Sequence, residues 1–238
     1  MFEPMKPAPP VTRARTAGNL RTPAADASAG GIVGRVPGLF VTFEGIDRSG
    51  KTTQARLLAD ALGDGALAVR EPGGTELGER LRELLKGAVP FGPLPEALLF
   101  AAARAQLVAE VIRPALARGL VVVSDRFVDS SLAYQGAARG LGVEEVARVN
   151  EWATGGLAPD LTFLLKLDPA EARGRPGDAD RFEGEGAGFQ REVAEAYVAL
   201  ADAEPGRWRR IDAARSPEDV HADVLATVEA ARSGAVAS

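Results

Sequence analysis

Five short apolar runs, separated by segments with helical spacing, set the pattern of this chain. Leu39–Phe43, Ala66–Val69, Leu120–Ser124, Leu161–Leu167 and Trp208–Ile211 have the length and composition of strands. Leu120–Ser124 is apolar without alternation, as expected of a strand buried on both faces. Thr52–Leu62, Glu76–Leu85 and about Phe189–Asp202 read as helices. Pro95–Ala117 is a longer helical stretch interrupted late by Pro114; a proline suits a first turn but kinks a helix interior. A Pro-Gly-Gly turn at 72–74 follows the second strand. Ser216-Pro217-Glu218-Asp219 opens a last helix, with Ser as cap and Pro at the first position. Residues 169–188 form a polar Gly/Arg/Asp stretch. The alternation of strand and helix specifies an α/β fold, a parallel sheet covered on both faces, without internal repeats.

Composition narrows this picture. The 238 residues suffice for one ordinary α/β domain, with 46% hydrophobic and 26% charged residues. Aromatics are only 5%, so the core is expected to be built from Ala, Val and Leu. The absence of cysteine excludes disulfides, thiol nucleophiles and Cys-type metal sites, and the single histidine, His221, excludes any two-histidine mechanism. No apolar run has the roughly 18–20 residues of a membrane span, and the N-terminus lacks a secretory stretch, so a cytoplasmic protein is expected. Residues 1–36 are rich in Pro, Ala, Arg, Thr and Gly and read as a disordered tail, with 37–238 as the folded domain. A basic arm for an acidic partner and an organellar transit segment are the alternatives for the tail. Lys6, Arg13, Arg15, Arg21 and Arg35 against Glu3 and Asp26 give it a charge of +3, leaving the body at -8 within the total of -5. An acidic body argues against non-specific nucleic-acid binding, so phosphate chemistry must rest on a local cation cluster.

That cluster is visible. Gly45-Ile46-Asp47-Arg48-Ser49-Gly50-Lys51-Thr52 matches G-x-x-x-x-G-K-[ST] between a predicted strand and a predicted helix. By composition, roughly 0.004 accidental matches are expected in such a chain. Backbone N–H groups of the loop cradle phosphates, Lys51 supplies a mobile charge, and Thr52 offers Mg²⁺ a hydroxyl, with Thr53 next in the same turn. A nucleoside triphosphate is therefore expected here. A carboxylate among phosphate donors must point elsewhere, so Asp47 suits an uncharged acceptor such as a sugar hydroxyl. Arg48 can lie over the transferring phosphoryl as an arginine finger; the bland alternative for both is a solvent-facing loop charge. Val121-Val122-Val123-Ser124-Asp125-Arg126-Phe127 is an apolar strand ending in Asp, the form of a Walker B element that positions Mg²⁺ or its water. Alone, such an Asp is more often a turn former; beside the P-loop it gains weight.

Four further segments accompany these two: Arg70-Glu71-Pro72-Gly73-Gly74-Thr75, Leu99-Phe100-Ala101-Ala102-Ala103-Arg104-Ala105-Gln106, Asp125 to Gly136, and Asp180-Arg181-Phe182-Glu183. In this order and spacing the chain, from about residue 38 to 230, closely resembles the thymidylate kinase family. The resemblance implies a P-loop nucleoside monophosphate kinase with a five-stranded parallel sheet and a mobile lid, usually a homodimer, that uses ATP with Mg²⁺ to phosphorylate dTMP for dTTP synthesis. It implies that Phe100 stacks on thymine, Arg104 bonds the base's carbonyl edge, and Ser131 and Gln135 complete the base pocket. Arg70 and Arg126 hold the acceptor phosphate, Asp47 takes the 3′-hydroxyl, and Tyr134 crowds the 2′ position. The lid covers roughly 169–184, with Arg173, Arg175 and Arg181 reaching for phosphates and Glu183 beside them. The chain departs from the family's usual pattern at Ala103, Leu107 and Ala194, and its lid is about a turn short after Pro169. An arginine in the P-loop and arginines in the lid are usually alternatives; this chain holds both.

Positioning and charge neutralisation carry such a transfer, and an ionised acceptor phosphate needs no general base. The rival readings are a P-loop kinase for another nucleoside monophosphate or for a nucleoside, and a nucleotide-dependent switch. The guanine-reading Asn-Lys-x-Asp of a GTPase does not occur.

Overall fold

A computed structural model of the chain describes residues 38–87, 89–176 and 185–236. The described residues fall in one compact unit. Five parallel strands, β1 (Leu39–Glu44), β2 (Ala66–Arg70), β3 (Val121–Asp125), β4 (Leu161–Lys166) and β5 (Trp208–Asp212), form a single sheet in the order β2-β3-β1-β4-β5. All five expected strands are present, shifted by a residue at some ends.

The pleat sends alternate side chains to opposite faces. Val41 and Phe43 join Ala55 and Leu58 of α1 (Lys51–Leu62) and Val220, Val224 and Val228 of α9 (Pro217–Val236) in one core cluster. Phe40 and Val122 turn the other way, onto Leu107, Val108, Ile112 and Phe127. The register pairs Phe43 with Asp125 and Glu44 with Leu164, so the strands end along one edge, where α/β sheets bind ligands.

α2 (Glu76–Lys86) opens at Thr75, whose hydroxyl accepts from the Gly78 amide at 2.9 Å. α3 (Pro93–Leu107) starts on a proline. The expected kink at Pro114 takes a specific form. A π turn over Val108–Ile112 shifts the hydrogen-bond register, and Pro114 then sits in the first turn of a new segment, α4 (Arg113–Ala117), where its missing N–H costs nothing. After β3 come α5 (Val128–Ser131), a π turn over Leu132–Ala138, and α6 (Val143–Thr154). α6 was not legible in the sequence: its buried stripe is Val146, Asn150 and Thr154, mostly polar. The polar stretch from 169 begins with a short helix, α7 (Pro169–Gly174), whose first turn is capped by Asp168 accepting from the Ala170 amide at 2.7 Å. α8 (Ala187–Ala203) follows. The tail read over 1–36 and lid residues 177–184, with Arg181 and Glu183, lie outside the described residues.

Candidate active site

The loop between β1 and α1 is shaped by glycines. Gly45 has φ 140°, and a Cβ there would lie 2.7 Å from the Leu165 carbonyl oxygen. Gly50, at φ 98°, turns the chain into α1. The Lys51 side chain is buried under the loop, where Nζ donates to the Ile46 carbonyl at 2.6 Å and to Ser49 Oγ at 3.4 Å. Burial, with repulsion from Arg126, lowers its pKa to about 8 despite Asp47, Asp125 and Glu44 nearby. Thr52 donates its hydroxyl hydrogen to Asp125 Oδ2, so the P-loop threonine and the strand-end aspartate meet. Thr53, next along α1, is exposed.

Arg126 follows β3 with φ 73°, an uncommon backbone for a side chain this large. Its guanidinium pairs with Asp47 Oδ1, reaches Ser130 Oγ at 3.0 Å, and lies 5.1 Å from the centre of the Tyr134 ring. The Tyr134 hydroxyl donates to Asp47 Oδ2 at 3.2 Å, and Gln190 Nε2 reaches the same oxygen at 3.4 Å. Burial opposes ionisation of Asp47, but Arg126 and Lys51 outweigh it and hold the carboxyl below its ordinary value.

Asp47, Lys51, Thr52, Asp125, Arg126 and Tyr134 line a cleft of about 360 Å³ along the carboxyl edge of the sheet. Phe100, half-buried on α3, lines the same cleft, as do Ser131 and Gln135. Arg70 stands at the mouth, paired with Glu79 at 3.0 Å. Arg104 also lines the cleft, yet its donors are engaged inside the protein, in four hydrogen bonds and an ion pair. They go to Glu71 Oε2 (2.7 and 2.6 Å), Ser131 Oγ (3.1 Å), Asn150 Oδ1 and the Phe127 carbonyl (3.0 Å). The guanidinium that a base edge would approach is thus already held by Ser131 and Asn150. The Gln135 amide nitrogen is likewise engaged, donating to Glu96 Oε1 at 2.9 Å.

Arg48, at φ 61°, sends Nη1 to the carbonyls of Arg175 (3.0 Å) and Arg173 (3.4 Å). Arg175 is tied to the Ala213 carbonyl at 2.6 Å, whereas Arg173 is exposed. The P-loop arginine and the end of α7 are thus in contact, and Arg175 spends a donor on β5's following turn.

Several site residues escaped the sequence reading. Arg82 and Lys86 line the cleft from α2, and their i, i+4 spacing was the available signal. Glu71 stood in a recognised segment without a role. Glu44, Tyr197, Glu96 and Asn150 gave no signal, because a buried polar residue is identified by partners far along the chain.

Residues 43–224 match a protein-family model described as thymidylate kinase. A thymidylate kinase of Bifidobacterium longum (strain DJO10A) is 50% identical over 201 residues, covering 81% of this chain and 98% of that protein. One from Deinococcus radiodurans is 50% identical over 198 residues, covering 80% and 96%. A crystal structure of thymidylate kinase from Ehrlichia chaffeensis superposes with a TM-score of 0.69 at 33% identity, over 81% of this chain and all of that one.

Proposed function

The chain belongs to the thymidylate kinase family, and from that premise we propose how its residues carry the transfer of the γ-phosphoryl group of ATP to dTMP, giving dTDP and ADP for dTTP synthesis. The observation that supports the assignment of roles is that one cleft is lined both by P-loop cations and by an aromatic ring with hydrogen-bonding neighbours. The loop Gly45–Thr52 receives the donor phosphates, and Thr53 follows them along α1. Binding there draws Lys51 Nζ away from the Ile46 carbonyl and raises its pKa, because an anion replaces a neutral acceptor. Arg70 and Arg126 hold the acceptor phosphate, Asp47 takes the sugar 3′-hydroxyl, and Tyr134 closes the 2′ side. Phe100, Ser131 and Gln135 surround the base, with Arg104 at its edge. Arg48 and the arginines of 169–184 supply further positive charge where two anions are brought together.

Among the described residues no group of three or more acidic or histidine side chains could hold a metal alone. Thr52 and Asp125 nonetheless provide adjacent hard oxygen donors, which fits Mg²⁺, an ion that keeps waters and takes phosphate oxygens as ligands. Its contribution would be charge neutralisation on the transferred phosphoryl.

The assembly we propose is a homodimer. Leu77 and Leu84 on α2, Leu94 and Leu98 on α3, and Trp152 on α6, which is 89% exposed, leave apolar surface uncovered on helices that pack together. Sedimentation at the mass of one chain would overturn this. Among the described residues no helix is long and apolar enough to cross a membrane.

The deciding experiment for the substrate is a coupled assay of ADP release with dTMP, dUMP, UMP, dAMP and thymidine. Preference for dTMP is expected; faster turnover of thymidine or of a purine nucleotide would overturn the pocket assignment.

A further inference from the structure

Glu44, the last residue of β1, is fully buried and belongs to no motif with an assigned role. Its Oε1 accepts the Phe127 amide at 2.8 Å. Its Oε2 accepts two hydroxyl hydrogens, from Ser130 at 2.6 Å and from Tyr197 of α8 at 2.8 Å. Those two oxygens lie 2.9 Å apart, and Arg126 Nη1 approaches both, at 3.0 Å from Ser130 Oγ and 3.4 Å from the Tyr197 hydroxyl. The carboxylate, the two hydroxyls and the guanidinium form one chain of polar contacts running from the sheet interior to the cleft.

We propose that Glu44 is a positioning residue for phosphoryl transfer: its carboxylate draws both hydroxyl hydrogens inward, so that Ser130 and Tyr197 present lone pairs to Arg126 and hold the guanidinium toward the acceptor phosphate. This rests on Arg126 being the acceptor-phosphate ligand. The physical reason lies in the count of donors and acceptors. With Glu44 ionised, each hydroxyl spends its hydrogen on Oε2 and keeps its lone pairs for Arg126. Protonating Glu44 adds a donor to the cluster, adds no acceptor, and removes the negative charge that balances Arg126 from the interior side. Asp47 and Asp125 are then the carboxylates left to oppose the guanidinium, and Asp47 also has the sugar to serve.

The surroundings make that protonation accessible. Burial pushes the Glu44 carboxyl up to about 7, aided by Asp129 on α5 and opposed by Ser130, Arg126 and Tyr197. Lys51 faces it from the P-loop side, and Arg207 neutralises Asp129 through a pair at 2.6 Å.

The test is Glu44→Gln, a near-isosteric loss of charge, assayed from about pH 5.5 to 8.5. Dividing the wild-type profile by the variant profile removes the titration of dTMP itself, whose phosphate ionises near pH 6. At pH 8 and above, kcat/KM for dTMP should fall about 10–100-fold, the scale of a hydrogen bond to a charged group, while KM for ATP changes less than about twofold. The two profiles should converge below about pH 6, where wild-type Glu44 is itself neutral. Glu44→Asp should restore part of the loss at high pH, and Tyr197→Phe should show a smaller defect, because the closer Ser130 contact survives. A ratio constant across the pH range, or a variant equal to wild type at pH 8, would overturn the proposal. Arg126→Ala separates the role of Arg126 from that of Glu44. If it leaves KM for dTMP unchanged, the premise about Arg126 fails. If it raises KM while Glu44→Gln has no effect, only the role of Glu44 fails.

Discussion

The buried pair beneath the base pocket offers a test of the interior by stability alone. Arg104 Nη2 lies 2.6 Å from Glu71 Oε2, and the two side chains are 1% and 3% exposed. Glu71→Gln keeps the shape and removes the charge. The guanidinium cannot shed its proton, and its remaining partners, Ser131, Asn150 and the Phe127 carbonyl, are all neutral. Leaving one buried charge uncompensated costs about 3–5 kcal/mol. At about 2–4 °C per kcal/mol for a domain of this size, Tm should drop by roughly 6–20 °C. The reverse change, Arg104→Met, behaves differently because Glu71 can take up a proton. Burial already raises its carboxyl pKa, even against the opposing charge of Arg104, and removing Arg104 raises it further. A carboxyl whose folded pKa lies above its unfolded value contributes stability that is complete below the unfolded pKa and lost as pH rises through the folded one. The Arg104→Met deficit should therefore be larger at about pH 8 than at pH 5.5, whereas the Glu71→Gln deficit should not grow with pH, because the variant lacks the carboxyl whose raised pKa costs the wild type stability at high pH. Urea unfolding followed by circular dichroism at the two pH values measures both. A Glu71→Gln deficit below about 1 kcal/mol, or an Arg104→Met deficit that shrinks with rising pH, would refute the reasoning.

Lys51→Met should fold normally and lose at least about 10²–10³-fold in turnover, the scale for removing one preorganised charge; activity within a few-fold of wild type would remove the P-loop lysine from the mechanism. Tyr134→Ala should relax discrimination between UMP and dUMP while leaving the dTMP/dUMP ratio, worth about 10–200-fold for one methyl, nearly unchanged in kcat/KM. Loss of the base preference with ribose still rejected would mean that Tyr134 reads the base. Deleting residues 1–36 should leave Tm and activity nearly unchanged, as the composition of that segment implies, and a fall of several degrees in a thermal melt would contradict this.

The sequence by itself determined the local frame. Five apolar runs appeared as five strands: the inner three, β1, β3 and β4, are buried on both faces and leave no polar period to misread, while the edge strands β2 and β5 keep exposed positions. The P-loop was legible because its glycines and its Lys-Thr pair serve one local geometry, and the strand ending in Asp125 was legible for the same reason. That Thr52 and Asp125 meet followed from placing those two elements side by side. Pro114 announced a break but not its form, since whether a helix ends, kinks or inserts a π turn depends on what packs against it.

The tertiary structure alone decided which charges share a space. The strand order puts β1 between β3 and β4, and so brings Arg126 to Asp47 and Glu44 to Ser130 and Tyr197. It also buries Glu71 with Arg104 and Asn150. Glu44, Tyr197 and Asn150 lie outside every recognised segment, and α6 was missed because its buried stripe is mostly polar. Periodicity reports how much of a segment faces away from water. A buried polar group is stable only through partners contributed by other elements, so its place cannot be read from its neighbours in the chain.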